Sequence, residues 1–142
     1  MTIAAIISAA PHEIVTARRD ESVSQIVARL AERRIGALPV VENGEVVGIF
    51  SERDLIYGTA RHGADMMTRS IGDVMISPAI TVTSDTPILS ALSLMTQRRV
   101  RHLPVVDDGK LTGFVSIGDL VKHRIEKIET EAAAMRDHIQ MA

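Results

Sequence analysis

The sequence predicts an α+β fold made of two tandem β-α-β-β-α repeats with pseudo-twofold symmetry, followed by a long C-terminal helix. The main observation is a duplication, because a shift of 65 residues aligns Val15–Ile56 with Ile80–Val121 without a gap, and 13 of the 42 pairs are identical. Each copy also contains one apolar pattern at helical spacing and two aliphatic runs joined by a turn dipeptide. Beyond the second copy a helical pattern continues to the end of the chain.

The elements of a repeat follow in a fixed order. A short apolar piece (14–16 and 80–83) predicts a first strand, and a stripe of apolar residues at helical spacing predicts the first helix. Asn43-Gly44 and Asp108-Gly109 then join two aliphatic runs, and these dipeptides tolerate the positive φ of a tight hairpin. A second helix is predicted to begin near Ser51 and Ser116. The helical stripes, which we expect in the core, are Val23, Ile26, Val27 and Leu30 in the first copy and Ile88, Leu92 and Met95 in the second.

The repeat register sets the domain organisation. We place the first repeat at residues 8–60, a linker at 61–73, the second repeat at 74–123 and the C-terminal helix at 124–142. The pattern lapses in the linker, which predicts a loop with about one helical turn. A unit of about 60 residues buries too little surface to be comfortably stable alone, so the two copies are expected to pack together.

The C-terminal helix carries an apolar seam with charged residues around it. The apolar positions alternate spacings of four and three, which is the heptad pattern of helices that pair. The seam either packs on its own domain or pairs with the same helix of a second copy. The length of the helix favours a homodimer. The seam consists of Val121, Ile125, Ile128, Ala132, Met135 and Ile139.

Composition excludes several function classes. Aromatic residues make up 2% of the chain and the net charge is -2, which argues against nucleic acid as a partner. The absence of Cys excludes disulfides and thiolate metal sites. No apolar run approaches the roughly 18 residues of a membrane span, and the apolar start lacks the basic residues of a signal peptide. We therefore expect a cytoplasmic protein that binds no membrane.

Catalytic and metal-binding signatures are missing from the sequence. It contains no HExxH, GxSxG or GxxxxGK[ST] pattern, and no two histidines lie three or four residues apart. We therefore expect neither an enzyme nor a required metal.

One motif recurs at a predicted strand-to-helix junction in both repeats: GIFSERD at 48–54 and GFVSIGD at 113–119. Ser followed three residues later by an acid is a helix-capping pattern. The same geometry suits a nucleotide, because a helix N-terminus attracts phosphate and a carboxylate accepts hydrogen bonds from a ribose diol. Since the motif occurs twice, we favour nucleotide binding over a cap alone.

These motifs, together with the repeated LPVV-(E/D)-x-G segment, make the chain similar to the CBS-domain (Bateman module) family over about residues 10–121. The resemblance implies a regulatory module whose two repeats pack through their sheets. It also implies clefts for adenosine ligands such as AMP, ATP, NAD(H) or S-adenosylmethionine, and frequent dimers.

The resemblance also assigns residues to two clefts. In one, Asp119 would hold the ribose hydroxyls, with Ser116 near the ribose and phosphate. The base would lie against the chain around Val15, Ile35 and Gly36.

In the other cleft, Asp54 and Ser51 would take the ribose, and Ile80 and Val100 would flank the base. With so few aromatic residues, we expect a base to be held by aliphatic side chains and backbone in both clefts.

The two copies differ at the positions expected to lie near the phosphate of a ligand. Arg101 and His102 match positions where the family places basic residues, whereas the first copy has Gly36 and Ala37 there. Arg53 partly compensates in its own cleft, where the second copy has Gly118. The clefts are therefore predicted to be unequal, with at least one occupied.

The leading hypothesis is a non-enzymatic sensor of adenine nucleotides, with AMP the first candidate and ATP, ADP or NAD(H) as alternatives. The regulated target protein is not named by the sequence. The main rival is a protein-interaction scaffold whose nucleotide clefts have degenerated. A hydrolase or transferase is disfavoured because no nucleophile–base pair is visible.

Overall fold

The computed structural model of the chain describes residues 1–9 and 13–141. Each repeat contains an antiparallel hairpin between two helices, as predicted, and a long helix ends the chain. The helices are α1 (Ile3–Ala9), α2 (Val23–Arg33), α3 (Glu52–His62), α4 (Ile71–Val74), α5 (Ile88–Arg98) and α6 (Ile117–Met141), and a 3-10 helix covers Gly63–Thr68. The strands are β1 (Ala37–Glu42), β2 (Glu45–Ser51), β3 (His102–Asp107) and β4 (Lys110–Ser116).

Both hairpins turn at the predicted dipeptides. Asn43 and Gly44 have φ of 54° and 80°, and Asp108 and Gly109 have 51° and 77°. Two consecutive positive φ angles define the turn whose twist matches paired strands. The same turn therefore sets the same register in both repeats: β1 pairs with β2 and β3 with β4, each with one irregularity in the middle of the ladder.

In place of the leading strands predicted at 14–16 and 80–83, each repeat has a bridge of one residue, and in the first repeat this residue lies just after the predicted range. Ala17 forms a parallel bridge to Val40, and Val82 forms the equivalent bridge to Val105. Pro39 explains how the bridge is made, because its carbonyl accepts a hydrogen bond from the Ala17 N–H at 3.0 Å while proline has no N–H to pair. Neighbouring residues of the predicted first strands do not extend the pairing.

Two buried clusters form the core, one for each hairpin and its helices. The predicted helical stripes lie in or against these clusters, and β2 contacts β4 between the repeats. The first cluster includes Val23, Ile26, Leu30, Leu38, Val40 and Phe50, and the second includes Ile88, Ala91, Met95, Leu103, Val105 and Val115.

Each short leading helix packs on the other repeat. In α1, Ile3 lies in the core cluster of the second repeat and its N–H donates to the Thr86 carbonyl at 2.9 Å. In α4, Ile71 lies in the core cluster of the first repeat and its N–H donates to the Glu21 carbonyl at 2.8 Å. The expectation of a loop at 61–73 is therefore wrong: the segment is largely helical and is held by this exchange.

Helix α6 runs without interruption from the end of β4 to Met141. Its first turn contributes the buried Leu120, and most of the helix beyond is exposed. Over residues 1–9 and 13–141, no helix combines the length and apolar character needed to cross a membrane.

Candidate functional site

A cavity of about 590 Å³ lies between the two repeats. Its volume falls within the usual range of small-molecule sites. Six of the residues singled out from the sequence line it together: Val15, Ile35, Gly36, His102, Ser116 and Asp119. The first three come from the first repeat and the last three from the second, so the cavity spans the repeats. We call it the Asp119 cavity.

One wall is the junction between β4 and α6. The Ser116 N–H donates to Asp119 Oδ2 at 2.9 Å, and the Asp119 N–H donates to Ser116 Oγ at 3.1 Å. This reciprocal pair is a capping box, as the sequence pattern indicates. It fixes the Asp119 carboxylate at the cavity wall beside the positive end of the α6 dipole. The helix end favours an anion, and the carboxylate accepts from a hydroxyl donor.

The first repeat contributes apolar lining from the chain around Val15 and from Ile35 and Gly36. Two features were not predicted: Ile6 and Ile7 of α1 complete the apolar lining, and Phe114 adds an aromatic ring. The expectation that aliphatic side chains and backbone hold a base stays a prediction, and Phe114 is one aromatic residue within reach of this cavity.

The aromatic part of the lining is itself ordered. The rings of Phe114 and His102 stack with centroids 5.5 Å apart and planes at 10°. Because both rings belong to the β3–β4 hairpin, their position is set by the strand register and not by a mobile loop.

The backbone of Phe114 also bears on the cavity. Phe114 lies opposite Pro104 in the hairpin, and the Pro104 carbonyl accepts from the Val82 N–H on the far side of β3. The pair is thus a non-hydrogen-bonded one, and in such a pair the N–H and C=O groups point away from the partner strand. We infer that Phe114 directs one donor and one acceptor to the edge of β4 that faces away from β3.

The charges around the cavity are mixed. Its lining includes Glu13 and Arg34 in addition to Asp119. Burial lowers the pKa of the His102 imidazole below its ordinary value, and the Asp119 and Glu52 carboxylates oppose that shift only in part. His102 is therefore mainly a neutral donor or acceptor near neutral pH.

The remaining predicted residues lie elsewhere. Asp54 and Ser51 form the same capping box at the start of α3, with the Ser51 N–H donating to Asp54 Oδ2 at 2.9 Å. Four further predicted residues do not line the Asp119 cavity: Ile80, Val100, Arg101 and Arg53. The Arg53 guanidinium donates to the Arg99 carbonyl at 2.9 Å, a contact between the repeats.

Sequence reasoning missed several lining residues, for two reasons. Ile6 and Ile7 fall outside the 65-residue register. A register of 68 instead relates Ile3 to Ile71 and Ile7 to Met75, and a search at that shift would have paired α1 with α4. Phe114 lies within the recognised motif at 113–119 and Thr112 lies immediately before it, but only the Ser and the Asp of that motif were given a role in binding.

No group of three or more His, Asp or Glu side chains that could hold a metal ion occurs in the part of the chain that the structure describes. The polar groups that line the Asp119 cavity are two carboxylates, two hydroxyls, an imidazole, a guanidinium and backbone groups. This set suits hydrogen bonding to a small organic ligand.

Two tandem β-α units that exchange their leading helices and enclose a cavity between them define a paired-repeat binding module. The sequence profile of the CBS domain matches residues 7–59 and 71–126. The chain belongs to the CBS-domain family.

Named relatives agree with this assignment. The mitochondrial CBS domain-containing protein CBSX3 of Arabidopsis thaliana is 36% identical over 126 residues, which are 85% of this chain and 61% of the relative. The chain thus spans less than two thirds of that protein.

Solved structures share the fold. The crystal structure of the CBS-domain containing protein ATU1752 from Agrobacterium tumefaciens is 32% identical, with a TM-score of 0.83, and the match covers 87% of this chain and 99% of that one. The crystal structure of CBSX2 in complex with AMP is 26% identical, with a TM-score of 0.76 over 88% and 96% of the two chains.

Proposed function

We propose that this protein is a non-enzymatic regulatory module that binds an adenine nucleotide, with AMP the first candidate, in the Asp119 cavity. The observation that carries the proposal is the convergence of Val15, Ile35 and Gly36 of one repeat with Ser116 and Asp119 of the other on one cavity. CBSX2, a relative of the same fold, was crystallised with AMP.

The chemistry of the walls fits the parts of a nucleotide. The capping box uses Asp119 Oδ2, and the carboxylate has a second oxygen to accept a ribose hydroxyl. Val15, Ile35 and Phe114 all line the cavity, and we expect a planar base to lie against them. The donor and acceptor of the Phe114 backbone match the acceptor N1 and donor N6 of adenine.

Regulation follows from the position of the cavity. A ligand there touches both repeats, so it binds one relative arrangement of the repeats better than another. A ligand shifts a conformational equilibrium by its difference in affinity for the two states. The regulated partner would then read the arrangement of the repeats.

The test is isothermal titration calorimetry with AMP, carried out on the native protein and on Asp119→Ala. Loss of hydrogen bonds to a charged group costs about 1.5–3 kcal/mol, so we expect affinity to fall about 10- to 100-fold. Ser22→Ala is the matched control, because Ser22 caps α2 with the same type of capping box and does not line the cavity. Unchanged AMP affinity in Asp119→Ala would overturn the proposal.

The alternative is a protein-interaction scaffold with degenerate clefts, and thermal unfolding separates the two. A ligand at 100 times its dissociation constant adds about 2.7 kcal/mol to the free energy of unfolding. We expect AMP to raise the melting temperature accordingly, with ADP, ATP and NAD(H) tested beside it. No shift with any of these ligands would favour the scaffold.

The proposed module is a homodimer joined through α6. The seam positions of this helix are exposed, from 41% at Val121 to 68% at Ile139. A continuous apolar stripe of this kind is unusual on the surface of a monomeric protein. The 25-residue helix is about 38 Å long. In a parallel pair, Arg124 of one copy would face Glu129 of the other, and Glu131 would face Arg136. These flanking positions choose the orientation of coiled coils.

A further inference from the structure

The two repeats carry the same motif, but the surroundings of that motif differ. In the 65-residue register Phe114 corresponds to Ile49, Asp119 to Asp54 and Ile35 to Val100. Each wall of the Asp119 cavity therefore has a counterpart in a second cleft, beside Asp54.

We propose that each chain binds a single ligand, in the Asp119 cavity, because residues 75–77 and the Arg53 side chain close the cleft beside Asp54. The inference rests on the proposed function and adds its stoichiometry and the residues that set it.

The first closure lies along the edge of β2. The Ile49 N–H donates to the Ile76 carbonyl at 3.0 Å, and the Ile76 N–H donates to the Ile49 carbonyl at 2.9 Å. Ser77 Oγ donates to the Val47 carbonyl at 2.6 Å. The backbone donor and acceptor that Phe114 directs to the Asp119 cavity are therefore already used at the equivalent residue Ile49.

Among the residues that the structure describes, only the edge of β2 is paired in this way, and the leading helices differ accordingly. Helix α4 ends at Val74, so the chain is free to extend and pair at Ile76. Helix α1 continues to Ala9, and in the 68-residue register its Ser8 is the counterpart of Ile76. A helical Ser8 does not form that bridge, and Phe114 remains part of the cavity lining.

The second closure lies across the mouth of the cleft. Arg53 donates to the Arg99 carbonyl and so links the start of α3 to the end of α5. The counterpart of Arg99 is Arg34, which lines the Asp119 cavity, and the counterpart of Arg53 is Gly118, which has no side chain to span it. The side chain of Arg53 thus crosses the cleft beside Asp54, whereas its counterpart Gly118 cannot cross the Asp119 cavity.

The absence of a side chain at Gly118 is not a steric requirement of the fold. A Cβ built there would meet only Ser116 Oγ, at 3.6 Å, which is ordinary van der Waals contact. A side chain at 118 is therefore tolerated, and the open mouth can be closed by substitution.

The first measurement is the stoichiometry of AMP binding by isothermal calorimetry on the full chain. We expect one AMP per chain, and in Asp119→Ala no site that keeps the native affinity. Two sites in the native protein, or one intact site left in Asp119→Ala, would overturn the inference while leaving nucleotide binding in place. No binding of AMP or any other adenine nucleotide would overturn the proposed function, and this inference with it.

The second measurement is AMP affinity in Gly118→Arg, which copies Arg53 into the second repeat. We expect affinity to fall at least about tenfold, because the new guanidinium takes the Arg34 carbonyl across the mouth and at least one ligand contact is lost. Gly118→Ala is the control, since it adds the Cβ without the guanidinium. Native or higher affinity in Gly118→Arg would show that an arginine here leaves the cleft open, and would contradict the closure by Arg53.

Discussion

Ile3 and Ile71 are both fully buried, and each lies in the core cluster of the repeat that the other precedes in sequence. Their N–H groups donate to equivalent carbonyls, those of Thr86 and Glu21. The hydrophobic core of each repeat is therefore completed by a residue from the other half of the chain.

The exchange of leading helices predicts cooperative unfolding. Ile71→Ala and Ile3→Ala should each lower the free energy of unfolding by about 2–5 kcal/mol, because each leaves a cavity in a closed core. Urea unfolding measures the effect, with Leu89→Ala as a control because that side chain is 59% exposed. Both variants should keep a single transition, and two separate transitions would show that the repeats unfold independently.

A second prediction compares two equivalent glycines. A Cβ at Gly48 would lie 2.6 Å from Met75 Sδ and 2.8 Å from the Ile76 carbonyl oxygen, whereas a Cβ at Gly113 would meet the tip of the Ile7 side chain at 2.7 Å. A side chain can rotate away more readily than a paired backbone can shift. Gly48→Ala should therefore cost about 1–3 kcal/mol and Gly113→Ala less, as measured by urea unfolding. Equal costs would contradict this reading of the 75–77 segment.

A third prediction concerns pH. Burial lowers the pKa of His102 below its ordinary 6.5, with Asp119 and Glu52 raising it and Arg101 lowering it further. Below pH 6.5 the unfolded chain takes up a proton that the folded chain resists, so this residue makes stability fall as the pH drops through that value. Well above pH 6.5 the imidazole is neutral in both the folded and the unfolded chain, so His102 no longer makes the free energy of unfolding depend on pH.

The measurement is the free energy of unfolding against pH, compared with His102→Ala, which copies Ala37 of the first repeat. The variant should lose the Phe114 stack and be less stable at pH 8, yet its stability should decline less on acidification. A steeper decline in the variant than in the native chain would show that the protonated ring is favoured in the fold.

The sequence predicted the parts of the fold that depend on local chemistry. Asn43-Gly44 and Asp108-Gly109 require particular φ angles, and Ser116 with Asp119 forms a cap within one turn, so both are visible in a short window. The Arg53 contact with Arg99 joins residues 46 positions apart and depends on how the repeats pack. The role of Ile3 was not predicted for a related reason: Ile3 is related to Ile71 by a shift of 68 residues, whereas the repeats are aligned by a shift of 65.

The last prediction tests the proposed dimer. Ile128 lies on the apolar seam of α6 and is 49% exposed in the single chain. Ile128→Asp should convert the dimer to a monomer, because each copy would place a carboxylate in a closed apolar seam. Thr130→Asp is the control, since it adds the same charge to an exposed position outside the seam. Sedimentation velocity measures the mass, and a native chain that sediments as a monomer would contradict the proposal.

The orientation of the pair can be tested separately, because the chain contains no cysteine. A single Met135→Cys places one thiol on the seam, and in a parallel, in-register pair the two thiols face each other and should oxidise to a disulfide-linked dimer. Glu129→Arg should weaken the dimer by setting Arg124 against a like charge, and adding Arg124→Glu should restore it. A dimer that resists oxidation at 135 and ignores the charge exchange would pair through another surface, and its α6 seam would then be left for a different partner.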